Sequence, residues 1–257
     1  MSSIHFFEKG EGQPLVLIHG FCETSRMWTD FAEKLAKDFR VICPDLPGIG
    51  DSPISGEQIS LEEVAVILEE WMDANEIHQP IVIGHSLGGY VTLALLELMG
   101  SRLKAVGLFH SSSYADSPDK KATRNKAILF LKKHGVDKFV SSFVPPLFPE
   151  GSSEEFKEEI AWAIEDGKRS TLSGLIAFTG AMRGRKERLD VLRDFSGPKL
   201  LIAGTEDGAV KIEASRKQKD VFTHYFELQG VGHMGMVEKR EETLELIREF
   251  ALSSTKH

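Results

Sequence analysis

Residues 81–100 read IVIGHSLGGYVTLALLELMG, and they contain the change of secondary structure that decides the fold. The first four residues are a continuous apolar run, which is typical of a strand buried on both faces of a sheet. The residues from Leu87 onwards are apolar at nearly every position, as in a buried helix. Residues 84–88, Gly-His-Ser-Leu-Gly, connect the two. The sequence therefore predicts a strand that turns directly into a helix, with a serine at the apex.

Six further β-rich runs accompany this unit, and segments of helical period separate most of them. This alternation predicts a mostly parallel central sheet flanked by helices. The six runs are IHFFEKG (4–10), PLVLIHG (14–20), RVICPDL (40–46), AVGLFHS (105–111), KLLIAGT (199–205) and HYFELQG (224–230). The predicted helices cover residues 25–37, 60–75, 87–99, 212–220 and 238–252.

One long stretch, residues 114–195, contains no good strand and several amphipathic helical segments. A structureless connection of that length would be unusual in a compact domain, so we predict an inserted helical cap over one end of the sheet. The core domain would then comprise residues 1–113 and 196–257. Six aromatic side chains of the cap either line a substrate pocket or only pack the cap helices together: Phe130, Phe139, Phe143, Phe148, Trp162 and Phe178.

Composition excludes several classes of function. The 257 residues carry a formal net charge of −8 and no block of basic residues, which argues against a nucleic-acid partner. No apolar run is long enough to cross a bilayer and no secretory leader is evident, so we expect a cytoplasmic protein. Cys22 and Cys43 are too few for a disulfide framework, and no His/Cys cluster has the spacing of metal ligands.

Ser86 is the first candidate for chemistry. Glycines at 84 and 88 let the strand and the helix approach each other, and the serine is held exposed on a strained turn at the helix N-terminus. There the backbone N–H of Leu87 can stabilise a developing negative charge. The alternative is an ordinary turn in which Ser86 only caps the helix.

A serine hydroxyl needs a base, and the base needs an orienting acid. Asp207 and His233 each follow the carboxyl end of a predicted strand, as Ser86 does, and such ends share one edge of the sheet. Glu206 adjoins Asp207 and could also reach an imidazole. The order Ser86, Asp207, His233 is the one expected for this type of turn.

An oxyanion hole requires a second amide besides that of Leu87. The loop His19-Gly20-Phe21 follows the strand at residues 14–18, and its glycine permits the backbone to turn the next N–H inward. We therefore assign the backbone N–H of Phe21 as the second donor. Such donors are worth roughly 3 kcal/mol each in the transition state.

Five motifs in order carry a resemblance to serine hydrolases of the α/β-hydrolase superfamily. They are VLIHGF (16–21), VICPDLPGIGDS (41–52), IVIGHSLGG (81–89), LLIAGTEDGAV (200–210) and GVGHMGMVE (230–238). The resemblance implies an α/β-hydrolase fold, and its G-x-x-D motif places the triad acid on Asp207, with Gly204 as the glycine. The cap is similar to that of small carboxylesterases and 3-oxoadipate enol-lactonase-like members.

The residue at the apex of the strand-to-helix turn, which is called the nucleophile elbow, distinguishes the mechanisms of this superfamily. Dehalogenase-like and epoxide-hydrolase-like members carry aspartate there, so Ser86 points to acyl transfer on a small carboxylic ester or lactone. This chemistry requires no metal and no organic cofactor. Two alternatives stay open: a cofactor-free lyase or carbon–carbon hydrolase with the same triad, and a receptor-like member that keeps the triad to bind a ligand.

Overall fold

The computed structural model describes residues 4–256, and a seven-stranded sheet forms its centre. Every predicted β-rich run contains one strand, so the strand predictions are confirmed. The strands are β1 (Phe6–Lys9), β2 (Pro14–Ile18), β3 (Arg40–Pro44), β4 (Ile81–His85), β5 (Ala105–Phe109), β6 (Lys199–Gly204) and β7 (His224–Leu228).

The strands lie in the order β1-β3-β2-β4-β5-β6-β7. β1 pairs with β3 in the antiparallel sense, and the other five pairings are parallel. The direction of chain progression reverses at β2, which lies between β3 and β4, and ligands of open α/β sheets bind at such a switch point. Ile18 of β2 pairs with Gly84 of β4, so the loops that follow these two strands start side by side.

Ten α-helices are present in residues 4–256, and none of them is both long and apolar enough to cross a membrane. They are α1 (Thr29–Leu35), α2 (Leu61–Ala74), α3 (Leu87–Met99), α4 (Pro118–Phe143), α5 (Lys157–Gly167), α6 (Leu172–Gly184), α7 (Leu189–Asp194), α8 (Ile212–Gln218), α9 (Gly235–Glu238) and α10 (Arg240–Ser254).

Two predicted helices differ in detail from those observed. The helix predicted at 238–252 is divided, because Lys239 adopts φ −135° and ψ 53°, which interrupts the helical path between α9 and α10. The helix predicted at 25–37 begins as a single 3₁₀ turn, Ser25–Trp28, and its α-helical part ends at Leu35. In contrast, α3 has the predicted limits, 87–99.

The core lies on both faces of the central strands. All five residues of β4 and of β5 are buried, which explains why these strands read as continuous apolar runs instead of alternating ones. α3 packs against β4 and β5 and also against α2. The helix that follows Ser86 is therefore packed directly against the sheet.

Helices α4–α7 lie between β5 and β6, in the region predicted to form a cap. α4 bends at Gly135, where φ is 79°, and it packs mainly against α6. The backbone N–H of Thr171, just before α6, donates to the C=O of Gly48, which ties this region to the loop after β3. The limits of the cap, 114–195, and of the core domain stay predictions.

Candidate active site

Ser86 occupies the predicted turn between β4 and α3 in a strained backbone conformation. Its φ is 49° and its ψ is −112°, a combination that costs a non-glycine residue about 1–3 kcal/mol. Its backbone N–H donates to the C=O of Phe109 at 2.9 Å, which holds the turn in place. Its side chain makes no capping hydrogen bond to α3. The alternative that Ser86 only caps the helix therefore has no support in the geometry.

The two glycines around Ser86 permit close backbone approach. A Cβ atom on Gly84 would lie 2.1 Å from the carbonyl carbon of Gly88, so a side chain there would push the helix off the strand. A Cβ atom on Gly88 would lie 2.4 Å from the carbonyl oxygen of Ile18, at the end of β2. Both positions need glycine for lack of space, as the sequence predicted.

Asp207 and His233 form a buried hydrogen-bonded pair. Oδ2 of Asp207 lies 2.8 Å from Nδ1 of His233, and both residues are 3% exposed. The other oxygen, Oδ1, accepts the backbone N–H groups of Ala209 and Val210, each at 2.8 Å, so the carboxylate is fixed in orientation. Glu206 is exposed. The structure thus brings Asp207, and not Glu206, to the imidazole.

His233 is also held through its backbone. Its N–H donates to the C=O of Leu147 at 2.7 Å, and its C=O lies 2.9 Å from Nε2 of His85. Because His85 directly precedes Ser86, this contact places the loop of His233 beside the turn after β4. Within residues 4–256 no hydrogen bond joins Ser86 to the ring of His233. In unliganded enzymes such catalytic hydrogen bonds are often long and shorten when substrate binds.

His110 also contacts Asp207, and this contact was not predicted from the sequence. Its Nδ1 lies 3.1 Å from Oδ2 of Asp207, the same oxygen that contacts His233. Nε2 of His110 is buried and has no hydrogen-bond partner among the described residues. The available signal was its position directly after β5, the neighbour of β4, because residues that follow neighbouring parallel strands meet at one edge.

The surroundings shift the pKa of each of these three groups away from its ordinary value. Burial by itself would raise the pKa of Asp207, but the charge of His233 and hydrogen bonds from both rings outweigh burial and hold it below its usual range. Burial would lower the pKa of His233, but the charge and hydrogen bond of Asp207 outweigh burial and raise it. Burial dominates at His110 and lowers its pKa to about 4 in spite of Asp207.

Potential ligand atoms of His110, Asp207 and His233 lie within 4.8 Å of one another, a spacing that could suit a metal ion. However, Nδ1 of each ring faces the carboxylate, so these atoms bind one another instead of pointing at a common ion. This arrangement is typical of an oriented imidazole in acid–base chemistry.

The amides of Phe21 and Leu87 follow the paired ends of β2 and β4. Neither amide donates to a protein acceptor within residues 4–256. The amide of Gly20, one residue before Phe21, is in contrast bound to Glu23. Two N–H groups at one edge of the sheet are therefore available to an external oxygen atom.

A cavity of about 340 Å³ lies between Phe21 and the cap. Its lining includes three of the six predicted cap aromatics, Phe130, Phe139 and Phe143, but neither Ser86 nor His233. The ring of Phe21 packs edge-on against Phe143, with the centroids 5.4 Å apart.

The other three aromatics have different surroundings. Phe178 is fully buried, and Phe148 packs against Phe156 with the ring centroids 5.6 Å apart. Trp162 is 40% exposed and lines a separate cleft. The cap aromatics therefore divide into a group beside Phe21 and a group that packs elsewhere.

Comparisons with known proteins identify the family to which the chain belongs. Residues 15–246 match the model of the alpha/beta hydrolase family, and the chain therefore belongs to that family. Lipase 1 of Psychrobacter immobilis is 27% identical over 251 residues, which cover 93% of this chain and 77% of that protein. Together with the family match, this relative and the esterase described next support a hydrolase.

Two solved structures have closely similar folds. A thermophilic esterase from Thermogutta terrifontis superposes with a TM-score of 0.91 and 26% identity, covering 98% of this chain and 93% of that chain. The enol-lactonase from Burkholderia xenovorans LB400 has a TM-score of 0.89 and 20% identity, covering 98% and 97%. At this identity the second likeness establishes the fold alone. The predicted α/β-hydrolase fold is confirmed.

Proposed function

We propose that the protein is a serine hydrolase that cleaves a carboxylic ester or lactone of a small molecule through an acyl-enzyme. The observation that carries the proposal is the buried Asp207–His233 hydrogen bond of 2.8 Å at the sheet edge where Ser86 occupies its strained turn. An oriented imidazole that can reach a half-buried serine is the arrangement that makes a hydroxyl nucleophilic at neutral pH.

In the first half of the reaction, Oγ of Ser86 attacks the carbonyl carbon while Nε2 of His233 accepts the hydroxyl proton. The carbonyl oxygen becomes an oxyanion, and the N–H groups of Phe21 and Leu87 donate to it. The carbon–oxygen bond to the alcohol then breaks, and the imidazolium of His233 gives its proton to the departing alkoxide. Asp207 stays ionised throughout, accepts from Nδ1–H and stabilises the imidazolium.

In the second half, His233 removes a proton from a water molecule as the water oxygen attacks the acyl carbon. The new tetrahedral intermediate places its oxyanion on the same two amides. When it collapses, Oγ of Ser86 leaves and takes the proton back from His233, and the carboxylic acid is released. Neither half requires a metal ion or an organic cofactor.

The cavity beside Phe21 supports an assignment for the apolar part of the substrate. The ring of Phe21 forms part of the cavity wall, and its amide is the proposed oxyanion donor, so the cavity adjoins the loop that would hold the reacting carbonyl. Phe130, Phe139 and Phe143 supply an aromatic wall suited to an alkyl or aryl group. We therefore assign this cavity to the acyl or alcohol part of the ester.

The proposal is tested with the purified protein and three substrate classes. We expect turnover of p-nitrophenyl acetate or of a simple lactone, and no comparable cleavage of the carbon–carbon bond of a 1,3-diketone. Cleavage of the diketone alone would replace the proposal with a carbon–carbon hydrolase. Binding of all three without turnover would indicate a receptor-like member.

A further inference from the structure

Glu23 and His85 form a second buried acid–imidazole pair, separate from the triad. Glu23 is 3% exposed and His85 is fully buried. Nδ1 of His85 lies 2.9 Å from one carboxylate oxygen of Glu23 and 3.0 Å from the other. The two residues are 62 positions apart in the chain, and the mechanism above uses neither of them.

The partners of the pair determine where its protons lie. Nε2 of His85 faces the C=O of His233 at 2.9 Å, and because a carbonyl only accepts, Nε2 must carry a hydrogen. Nδ1 faces a carboxyl group, so one further proton lies between Nδ1 and Glu23. Burial would raise the pKa of Glu23, but the charge and hydrogen bond of His85 outweigh it and lower that pKa.

The pair connects two loops of the proposed active site. Oε2 of Glu23 accepts the backbone N–H of Gly20 at 2.7 Å, and Gly20 directly precedes the oxyanion donor Phe21. At the other end, His85 holds the backbone of His233. The packing is tight, because a Cβ atom on Gly20 would lie 2.7 Å from Nδ1 of His85 and 2.8 Å from Glu23.

We propose that Glu23 and His85 are positioning residues that hold the oxyanion amide of Phe21 and the base His233 in one fixed arrangement around Ser86. The inference rests on the proposed function and adds to it a link between two catalytic loops. The pair acts through hydrogen bonds and not through net charge, since the two side chains with their shared proton sum to zero whichever of them carries it. A shift of about 1 Å in such groups costs on the order of 10²-fold in rate.

Two substitutions separate hydrogen bonding from charge. Glu23→Gln retains the hydrogen-bonding pattern, because its amide nitrogen can donate to a neutral Nδ1 of His85 and its oxygen can accept from Gly20. Glu23→Leu keeps a branched side chain of comparable bulk, one bond shorter, but loses both contacts. We expect Glu23→Leu to lower kcat for a short ester by about 10²-fold with KM nearly unchanged, and Glu23→Gln to recover most of that loss.

Asp166→Leu is the matched control. Asp166 is 2% exposed and binds the backbone N–H and hydroxyl of Thr24, next to Glu23, but it does not contact His85. Its loss disturbs the same loop without breaking the proposed link, so kcat should stay close to that of the parent. Equal losses in Asp166→Leu and Glu23→Leu, or equal losses in Glu23→Gln and Glu23→Leu, would overturn the proposal.

A measurement on the unmodified protein keeps the inference testable if Glu23→Leu does not fold. Nitrogen-15 NMR of labelled histidines should show Nε2 of His85 protonated at neutral pH and protected from exchange. Because the rings of both His85 and His110 lie against Phe109, with centroids 5.4 and 4.6 Å away, the signal of His85 is assigned by its absence from the spectrum of His85→Gln. A bare Nε2 would contradict the bond to His233. If the parent hydrolyses no ester, the proposed function fails; if the parent is active and folded Glu23→Leu keeps the parent kcat, only this inference fails.

Discussion

Nδ1 of His110 lies 3.1 Å from Oδ2 of Asp207, the carboxylate oxygen that also contacts His233. An ionised carboxylate only accepts, so His110 carries its proton on Nδ1, and Nε2 is left bare in an apolar setting. The ring of His110 is therefore neutral in the folded protein, consistent with its pKa of about 4. Asp207 thus receives two hydrogen bonds on one oxygen, but only one of the two rings belongs to the proposed triad.

The burial of His110, which outweighs its contact with Asp207, makes this residue a source of pH-dependent stability. Its pKa of about 4 in the folded state is lower than the ordinary value of 6.5, so the unfolded chain binds more protons between these values. Stability from His110 is therefore complete above about pH 6.5 and is lost as the pH falls through this window, by up to about 3 kcal/mol. Denaturant unfolding from pH 4 to 8 should show a smaller decline for His110→Gln than for the parent. Parallel curves would contradict this account.

Asp207→Asn tests the identity of the acid. The amide would favour the wrong tautomer of His233, and we expect kcat to fall by about 10⁴-fold. Glu206→Gln is the adjacent control, because Glu206 is exposed and should change kcat little. Ester hydrolysis by both purified variants is the measurement. The reverse ranking would transfer the role of the acid to Glu206.

The pH dependence of kcat/KM reports the base in the free enzyme. His233 must be neutral to accept the proton of Ser86, and Asp207 raises the pKa of His233 above its ordinary value of 6.5. Activity should therefore fall on the acid side with a midpoint above pH 6.5. Initial rates at low ester concentration between pH 4 and 9 test this. A flat profile down to about pH 4 would exclude a histidine base.

Phe143→Ala tests the aromatic wall of the cavity. Enlarging the pocket should improve long acyl chains relative to short ones, and one methylene in such a pocket is worth roughly 1–3 kcal/mol. The measurement is kcat/KM for p-nitrophenyl esters from acetate to octanoate. Trp162→Ala is the control, since Trp162 belongs to the same cap but lines a separate cleft. An identical chain-length profile for Phe143→Ala and the parent would contradict the assignment of this cavity to the apolar part of the substrate.

The sequence predicted those parts of the fold that depend on local pattern. The apolar runs at β4 and β5 and the limits of α3 follow from burial on both faces, and glycines 84 and 88 follow from the space around Ser86. The break at Lys239 could not be predicted, because no proline or glycine marks it in the sequence.

The hydrogen-bond partners of buried polar groups were harder to predict from the sequence than the helices and strands. His85 is the last residue of β4, and His110 directly follows β5. Their partners, Glu23 and Asp207, lie 62 and 97 residues away in the chain. The periodicity of a sequence predicts helices and strands but not such distant pairs. The preference for Asp207 over Glu206 rested on the resemblance, and the structure adds the burial and the contact that separate them.

The central claim is that Ser86 is the nucleophile, and covalent labelling tests it most directly. The parent protein is incubated with an organophosphate ester reagent, and the modified residue is located by peptide mass spectrometry beside the Ser86→Ala variant. We predict one adduct per chain on Ser86, loss of ester hydrolysis in step with labelling, and neither labelling nor turnover in folded Ser86→Ala. Hydrolysis of p-nitrophenyl acetate by Ser86→Ala at the parent rate, or an adduct on another residue, would contradict the claim.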